Sequence, residues 1–152
     1  MKIVYIDMDG VLVDFQSGID SLSNSDREIY KGRYDEAPGI FSKMIPKDGA
    51  LKAFKKLSKS FEVYILSTAP WNNPSAWTDK LLWVKKHLGT QAHKKLILSH
   101  NKHLNSGDFL IDDRIANGAD RFQGEHIHFN SEDHPQFKDW DRVLDYILPR
   151  PK

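Results

Sequence analysis

Ile3-Val4-Tyr5-Ile6-Asp7-Met8-Asp9-Gly10 joins two kinds of sequence without a spacer. Its first four residues are a continuous β-branched and aromatic run, the pattern of a strand buried on both faces. Its last four form a turn that holds two carboxylates. Acids therefore stand at the carboxyl end of a buried strand. The arrangement recurs downstream, where Phe61 to Leu66 reads as a strand followed by Ser67-Thr68. Leu96 to Leu98 leads to Lys102, and Phe109 to Ile111 runs into Asp112-Asp113. A fifth short strand, Ile127 to Phe129, precedes the last helix.

Helical patterns separate these strands. From Asp48, read as an N-cap, Leu51, Phe54 and Leu57 recur every three residues. Asn73-Pro74 opens a helix with proline in its first turn; Trp77, Leu81, Val84 and Leu88 mark one face and Gly89 the end. Trp140, Leu144 and Ile147 mark the final helix. The stretch from about residue 16 to 46 is polar and punctuated by Ser, Asn, Asp and Gly, which predicts short helices and loops inserted after the first strand. The expected class is α/β: a doubly wound, Rossmann-like parallel sheet of about five strands with a small helical cap. In such sheets ligands bind beyond the carboxyl ends of the strands, where every polar cluster of this chain falls.

With 152 residues, no cysteine, and 22 Lys+Arg against 21 Asp+Glu, the expectation is one soluble domain covering residues 1–152. Cysteine chemistry is excluded. A chain of this length buries roughly 70% of its unfolded surface and needs no disulfide to fold. The formal charge of +1 gives no electrostatic reason for nucleic acid or an anionic membrane to be the main partner. The opening apolar run is too short for a signal or a membrane span, so the cytoplasm is the expected location. A homodimer is compatible with this sequence.

Taken singly, Asp-x-Asp-Gly is a common turn and Asp-Asp a common helix start. Their joint placement carries the chemistry. Carboxylates about 4 Å apart repel by roughly 4 kcal/mol per pair at an effective dielectric near 20, so something positive must compensate. Hard carboxylate oxygens without His or Cys at ligand spacing suit Mg²⁺, which commonly shares its shell with a phosphate. A phosphate also explains the hydroxyls and the lysine.

The ordered set Asp7-Met8-Asp9-Gly10-Val11, Leu66-Ser67-Thr68, Lys102 and Leu110-Ile111-Asp112-Asp113 resembles the haloacid-dehalogenase (HAD) superfamily of aspartate-nucleophile phosphotransferases. Within it, the run from Asp7 to Phe15, Pro38-Gly39-Ile40-Phe41, and the run from Trp77 to Val84 resemble the 5'(3')-deoxyribonucleotidases. That resemblance implies an Mg²⁺-dependent phosphomonoester hydrolase acting on nucleoside monophosphates. Asp7 would attack phosphorus to form an aspartyl phosphate, and Asp9 would protonate the leaving oxygen and later activate water. The implied metal set is the Asp7 carboxylate, the Asp9 backbone carbonyl and Asp112, with Asp113 behind them. Lys102 would supply charge to nucleophile and phosphate. Ser67, which ends the apolar strand, or its neighbour Thr68 would bind a phosphoryl oxygen.

Phe15, Tyr30, Tyr34 and Phe41 are the stacking candidates for a base, with Phe15, Tyr34 and Phe41 carried forward. Trp71 to Asn73 form a polar and aromatic loop near the same edge with no assigned role. His100 reads as an exposed loop residue, and His126 and His128 as structural. The alternatives are the same chemistry on another small phosphate ester or a nucleic-acid 3'-phosphate, a phospho-acceptor signalling domain, and a non-catalytic phosphate-binding module. The order of the acidic motifs argues against the signalling domain.

Overall fold

The computed structural model describes residues 1–152. The middle strand of its main sheet is β1 (Ile3–Ile6). β2 (Glu62–Ser67) and then β3 (Leu96–Leu98) lie to one side, and β4 (Phe109–Asp112) and then β5 (Glu125–His128) to the other. Every neighbouring pair is parallel. Ile6 is level with Ile65 on β2 and Ile111 on β4, so the carboxyl ends finish together and Asp7 emerges beside Asp112.

Side-chain alternation divides the sheet's two faces. Val4, Ile6, Val63, Ile65, Phe109 and Ile111 join the main core. So do residues of α3 (Ala50–Leu57), α4 (Pro74–His87) and α5 (Trp140–Ile147). Tyr5, Leu66 and Leu110 face a smaller cluster closed by Ala119 and Phe122. Connections rather than α-helices therefore seal the second face. Phe54 of α3 is 1% exposed, and cutting it to alanine would cost about 3–5 kcal/mol.

The inserted segment contains α1 (Phe15–Asp20), α2 (Asn24–Ile29) and two short 3-10 turns, Tyr34–Glu36 and Ile40–Lys43. Asp14 caps α1 by accepting from the Ser17 N–H at 3.3 Å, and Ser23 caps α2. Val13–Asp14 pairs antiparallel with Ile45–Pro46, tying the segment's entry to its exit.

Two helix faces differ from the expected ones. α3 begins after Gly49, whose φ of 78° ends the preceding turn; Asp48 caps nothing. Its buried stripe is Ala50, Ala53, Phe54 and Leu57, while Leu51 is exposed. On α4 the stripe is Ala76, Lys80, Trp83 and Val84, with Leu81 exposed and Trp77 half-buried. In both, helical spacing i, i+3, i+4, i+7, i+8 selects small or charged residues that a count of large apolar ones passes over. The second strand starts at Glu62, one residue later than expected, and the fifth at Glu125, two residues earlier. No helix is long and apolar enough to cross a membrane.

Candidate active site

The turn after β1 is pulled tight by three N–H groups, those of Val11, Leu12 and Val13, which all donate to the Met8 carbonyl. Gly10 sits in it at φ 80°, and a Cβ there would lie 2.2 Å from Asp113 Oδ2. Only glycine lets the turn lie against that carboxylate. The Asp7 N–H donates to the Ile111 carbonyl at 2.9 Å, which fixes the nucleophile candidate against β4.

Lys102 stands on a 3-10 turn after β3, its backbone N–H held by the Asn117 carbonyl at 2.8 Å. Its Nζ donates to Asp7 Oδ1 at 2.9 Å and to Asp112 Oδ2 at 2.6 Å, and all three residues are buried. Burial opposes the charge on Lys102, but Asp7 and Asp112 outweigh it and hold its pKa above the ordinary lysine value. Carboxylate oxygens of Asp7, Asp112 and Asp113 lie within 4.8 Å of one another. Asp113, expected behind the metal ligands, brings its carboxylate into the same cluster as Asp7 and Asp112. One lysine cannot neutralise three such acids. Burial, reinforced by Asp7, pushes Asp112 up to about 6, and burial with both acidic neighbours pushes Asp113 up to about 8.

Asp113 Oδ1 is buried without a hydrogen-bond partner. An orphaned acceptor in an all-oxygen, charge-deficient cluster fits a hard divalent cation of the Mg²⁺ type.

Asp9 faces a different partner. Lys80, fully buried on α4, donates from Nζ to Asp9 Oδ2 and to Ser67 Oγ, both at 2.9 Å. The same ammonium lies 4.4 Å from the Phe41 ring centroid. Burial raises the Asp9 pKa, Lys80 works against it, and Asp7 adds to it. Asp9 thus holds a proton more readily than a free aspartate. Lys80 escaped the sequence reading because a lone lysine is ordinarily solvated; its place in the buried stripe of α4 was the available signal.

The acids floor a cavity of about 760 Å³ whose walls include Phe15, Arg33, Tyr34, Thr68, Trp71 and His100. Thr68 is the hydroxyl on the wall, its Oγ1 donating to the Ser99 carbonyl at 2.7 Å. Ser67 lies fully buried behind it. Phe15 and Tyr34 reach the cavity, but Phe41 does not: it is 3% exposed, packed edge-on to Phe15 and under Lys80. Tyr30 packs against the core, with Arg33 over its ring. His100 is on the cavity wall, half-buried rather than exposed. His126 does act structurally, with Nε2 at 3.1 Å from the Asp112 carbonyl and its ring stacked on His128, which stacks on His134.

Known proteins resemble this chain along most of its length. A protein of Vibrio phage KVP40, described as a candidate 5'(3')-deoxyribonucleotidase, is 59% identical over 150 residues, 99% of this chain and 86% of that one. The 5'(3')-deoxyribonucleotidase of Bacillus subtilis is 27% identical, covering 95% of this chain and 94% of its own. Among solved structures, a candidate HAD-hydrolase of Bacillus subtilis, YfnB, determined with bound magnesium, superposes with a TM-score of 0.63 at 12% identity over 95% of this chain and 97% of that one. The family model for 5' nucleotidase, deoxy (Pyrimidine), cytosolic type C matches residues 22–147, and the chain belongs to that family, on a HAD-type fold.

Proposed function

We propose that this protein is an Mg²⁺-dependent phosphatase that dephosphorylates deoxynucleoside monophosphates through an aspartyl phosphate on Asp7. One observation carries the reading: two carboxylates leave the same strand end into different environments. Asp7 is bound to Lys102 in the three-acid cluster, and Asp9 is bound to Lys80 with a raised pKa. The relatives' names supply the substrate class. The inserted segment at residues 16–46 serves as the cap over the cavity.

In the first half-reaction an Asp7 oxygen attacks phosphorus in line, the phosphorus–oxygen ester bond breaks, and Asp9 gives its proton to the departing alkoxide. In the second, Asp9 takes a proton from water as the water oxygen attacks phosphorus, which releases inorganic phosphate and restores Asp7. Lys102 holds Asp7 Oδ1 and attracts the incoming phosphoryl oxygens, and Thr68 is the hydroxyl residue that stands on the cavity wall beside them. Asp7, Asp112, Asp113 and the Asp9 backbone carbonyl would hold Mg²⁺, which when bound neutralises the carboxylates and the transferring phosphoryl group.

The test is inorganic phosphate release from a panel of deoxynucleoside, ribonucleoside and sugar monophosphates, with Mg²⁺ and with EDTA, for the wild type and Asp7→Asn. Mg²⁺-dependent release from deoxynucleotides that Asp7→Asn loses supports the proposal. Preference for sugar phosphates would refute the substrate class, and an active Asp7→Asn would refute the nucleophile. Mg²⁺-dependent nucleotide binding without phosphate release would identify a binding module instead.

A further inference from the structure

Trp71 is 78% exposed, whereas Trp83 and Trp140 are almost completely buried and Trp77 half so. A large aromatic side chain that exposed stands on the wall of the cavity that holds the acids. It is also braced: its ring meets the His100 ring edge-on at 5.8 Å between centroids, and His100 leans on Trp77 of α4 at 6.0 Å.

The loop that carries Trp71 is pinned. The Asn73 N–H donates to the Pro70 carbonyl at 3.2 Å, closing a turn around Trp71 and Asn72. The Asn73 side chain is 2% exposed and reaches across to the cap segment. Its Nδ2 donates to the Asp35 carbonyl at 2.9 Å and the Ala37 carbonyl at 3.1 Å, and its Oδ1 accepts from Ser75 Oγ at 2.5 Å. Ser75 Oγ in turn accepts from the Gly39 N–H at 2.9 Å. Beside it, Asn72 Nδ2 donates to Glu36 Oε1 at 3.2 Å. The bonds that cross to the cap segment all end within Asp35 to Gly39, the stretch that follows Tyr34, and Tyr34 lines the same cavity. The two aromatic walls, Tyr34 from the cap and Trp71 from the sheet edge, are thus fastened together by a buried amide.

Resting on the nucleotidase reading of this cavity, we propose that Trp71 is the platform on which the substrate's base stacks and that Asn73 is the positioning residue that sets its distance from Tyr34. A planar π-face is what a nucleobase needs and what a bare sugar phosphate does not use. The cavity is walled both by residues of the cap, Arg33 to Asp35, and by Thr68, Trp71 and His100 from the sheet edge.

The experiment compares a deoxynucleoside monophosphate with deoxyribose 5-phosphate, which has the same phosphate and sugar and no base. Trp71→Ala should lower the nucleotide's kcat/KM advantage over deoxyribose 5-phosphate by about 5- to 100-fold, the span that stacking of one base supports, with the loss in KM rather than kcat. Trp71→Phe should restore most of it. Asn73→Ala should lower the same ratio, and by less in the Trp71→Ala background than alone. Titration of tryptophan emission with the nucleotide gives a readout independent of turnover, with quenching that Trp71→Ala removes. An unchanged ratio in Trp71→Ala, equal losses on both esters, or quenching that survives without Trp71 would overturn the platform. Full additivity of the two substitutions would overturn the positioning role. If Asn73→Ala fails to fold, the Trp71 variants still decide the platform. A wild type that binds nucleotide with Trp71-dependent quenching but hydrolyses neither ester would refute the phosphatase reading and support the platform.

Discussion

Replacing Lys80 with methionine keeps the approximate volume of a fully buried side chain and removes its charge together with its hydrogen bonds to Asp9 and Ser67. In the structure Lys80 Nζ lies 2.9 Å from Asp9 Oδ2. At that separation and an effective dielectric of about 20, the attraction is about 6 kcal/mol. The Asp9 side chain is 30% exposed, and solvent screening brings the usable part down to about 1.5–3 kcal/mol. Losing it leaves burial and Asp7 unopposed and raises the Asp9 pKa further. The sign follows from which form Lys80 stabilises, the carboxylate. In Lys80→Met, Asp9 stays protonated to higher pH, so proton donation to the leaving group persists further into alkali. Removal of a proton from water needs the carboxylate and slows at neutral pH by about 10- to 100-fold. The predicted signature is a phosphorylated enzyme that accumulates in rapid acid-quench experiments with radiolabelled nucleotide, together with an alkaline limb of the phosphorylation rate displaced to higher pH. A pH profile that superposes on the wild type, with no trapped phosphoenzyme, would refute the claim that Lys80 tunes Asp9.

Three further outcomes are expected. Gly10→Ala forces a side chain to φ 80° and to 2.2 Å from Asp113 Oδ2; it should lose about 1–3 kcal/mol of stability and more than tenfold in kcat, read by denaturant unfolding and phosphate release. Mg²⁺ at a hundred times its Kd should stabilise the fold by about 2.7 kcal/mol, seen as a rise in Tm that Asp112→Asn abolishes. Burial depresses the His126 pKa to about 4, below the unfolded value of 6.5, so its neutral ring contributes stability that is intact above pH 6.5 and lost as pH falls towards 4. After discounting for partial exposure this amounts to about 2 kcal/mol, and in EDTA the Tm gap between wild type and His126→Gln should change by several degrees across that range.

The strand ends and their acids were legible in the sequence because continuous apolar runs are rare and their polar termini stand out. Parallel pairing then does the rest: once Ile6 is level with Ile111, Asp7 and Asp112 have to be neighbours. What the sequence hid depends on side chains crossing between elements. Lys80 meets Asp9 across 71 positions, and only its helical spacing from Ala76, Trp83 and Val84 marks it as facing inward. Phe41 looked like a stacking residue because aromatics in an inserted segment invite that reading, but it is the lid under which Lys80 is buried. Alternation along an extended strand would turn Asp113 away from Asp112, but the chain leaves β4 at Asp112, and both carboxylates fall in one cluster with Asp7.

The central position of β1 has a consequence for how the protein comes into being. During synthesis Val4 and Ile6, both with no exposed surface in the finished fold, leave the ribosome before the strands that flank them and wait for partners on either side. One neighbour arrives with Glu62–Ser67 and the other only with Phe109–Asp112, so more than a hundred residues must be made before the strand has both edges covered. Through that interval the nascent chain carries an apolar strand with open edges, a sticky species for which chaperone contact or slow, late-committing folding is the expected remedy. The nucleophile candidate at the end of that strand gains its lysine and its partner acid in the same late step, so a truncated chain is incomplete both as a fold and as a site.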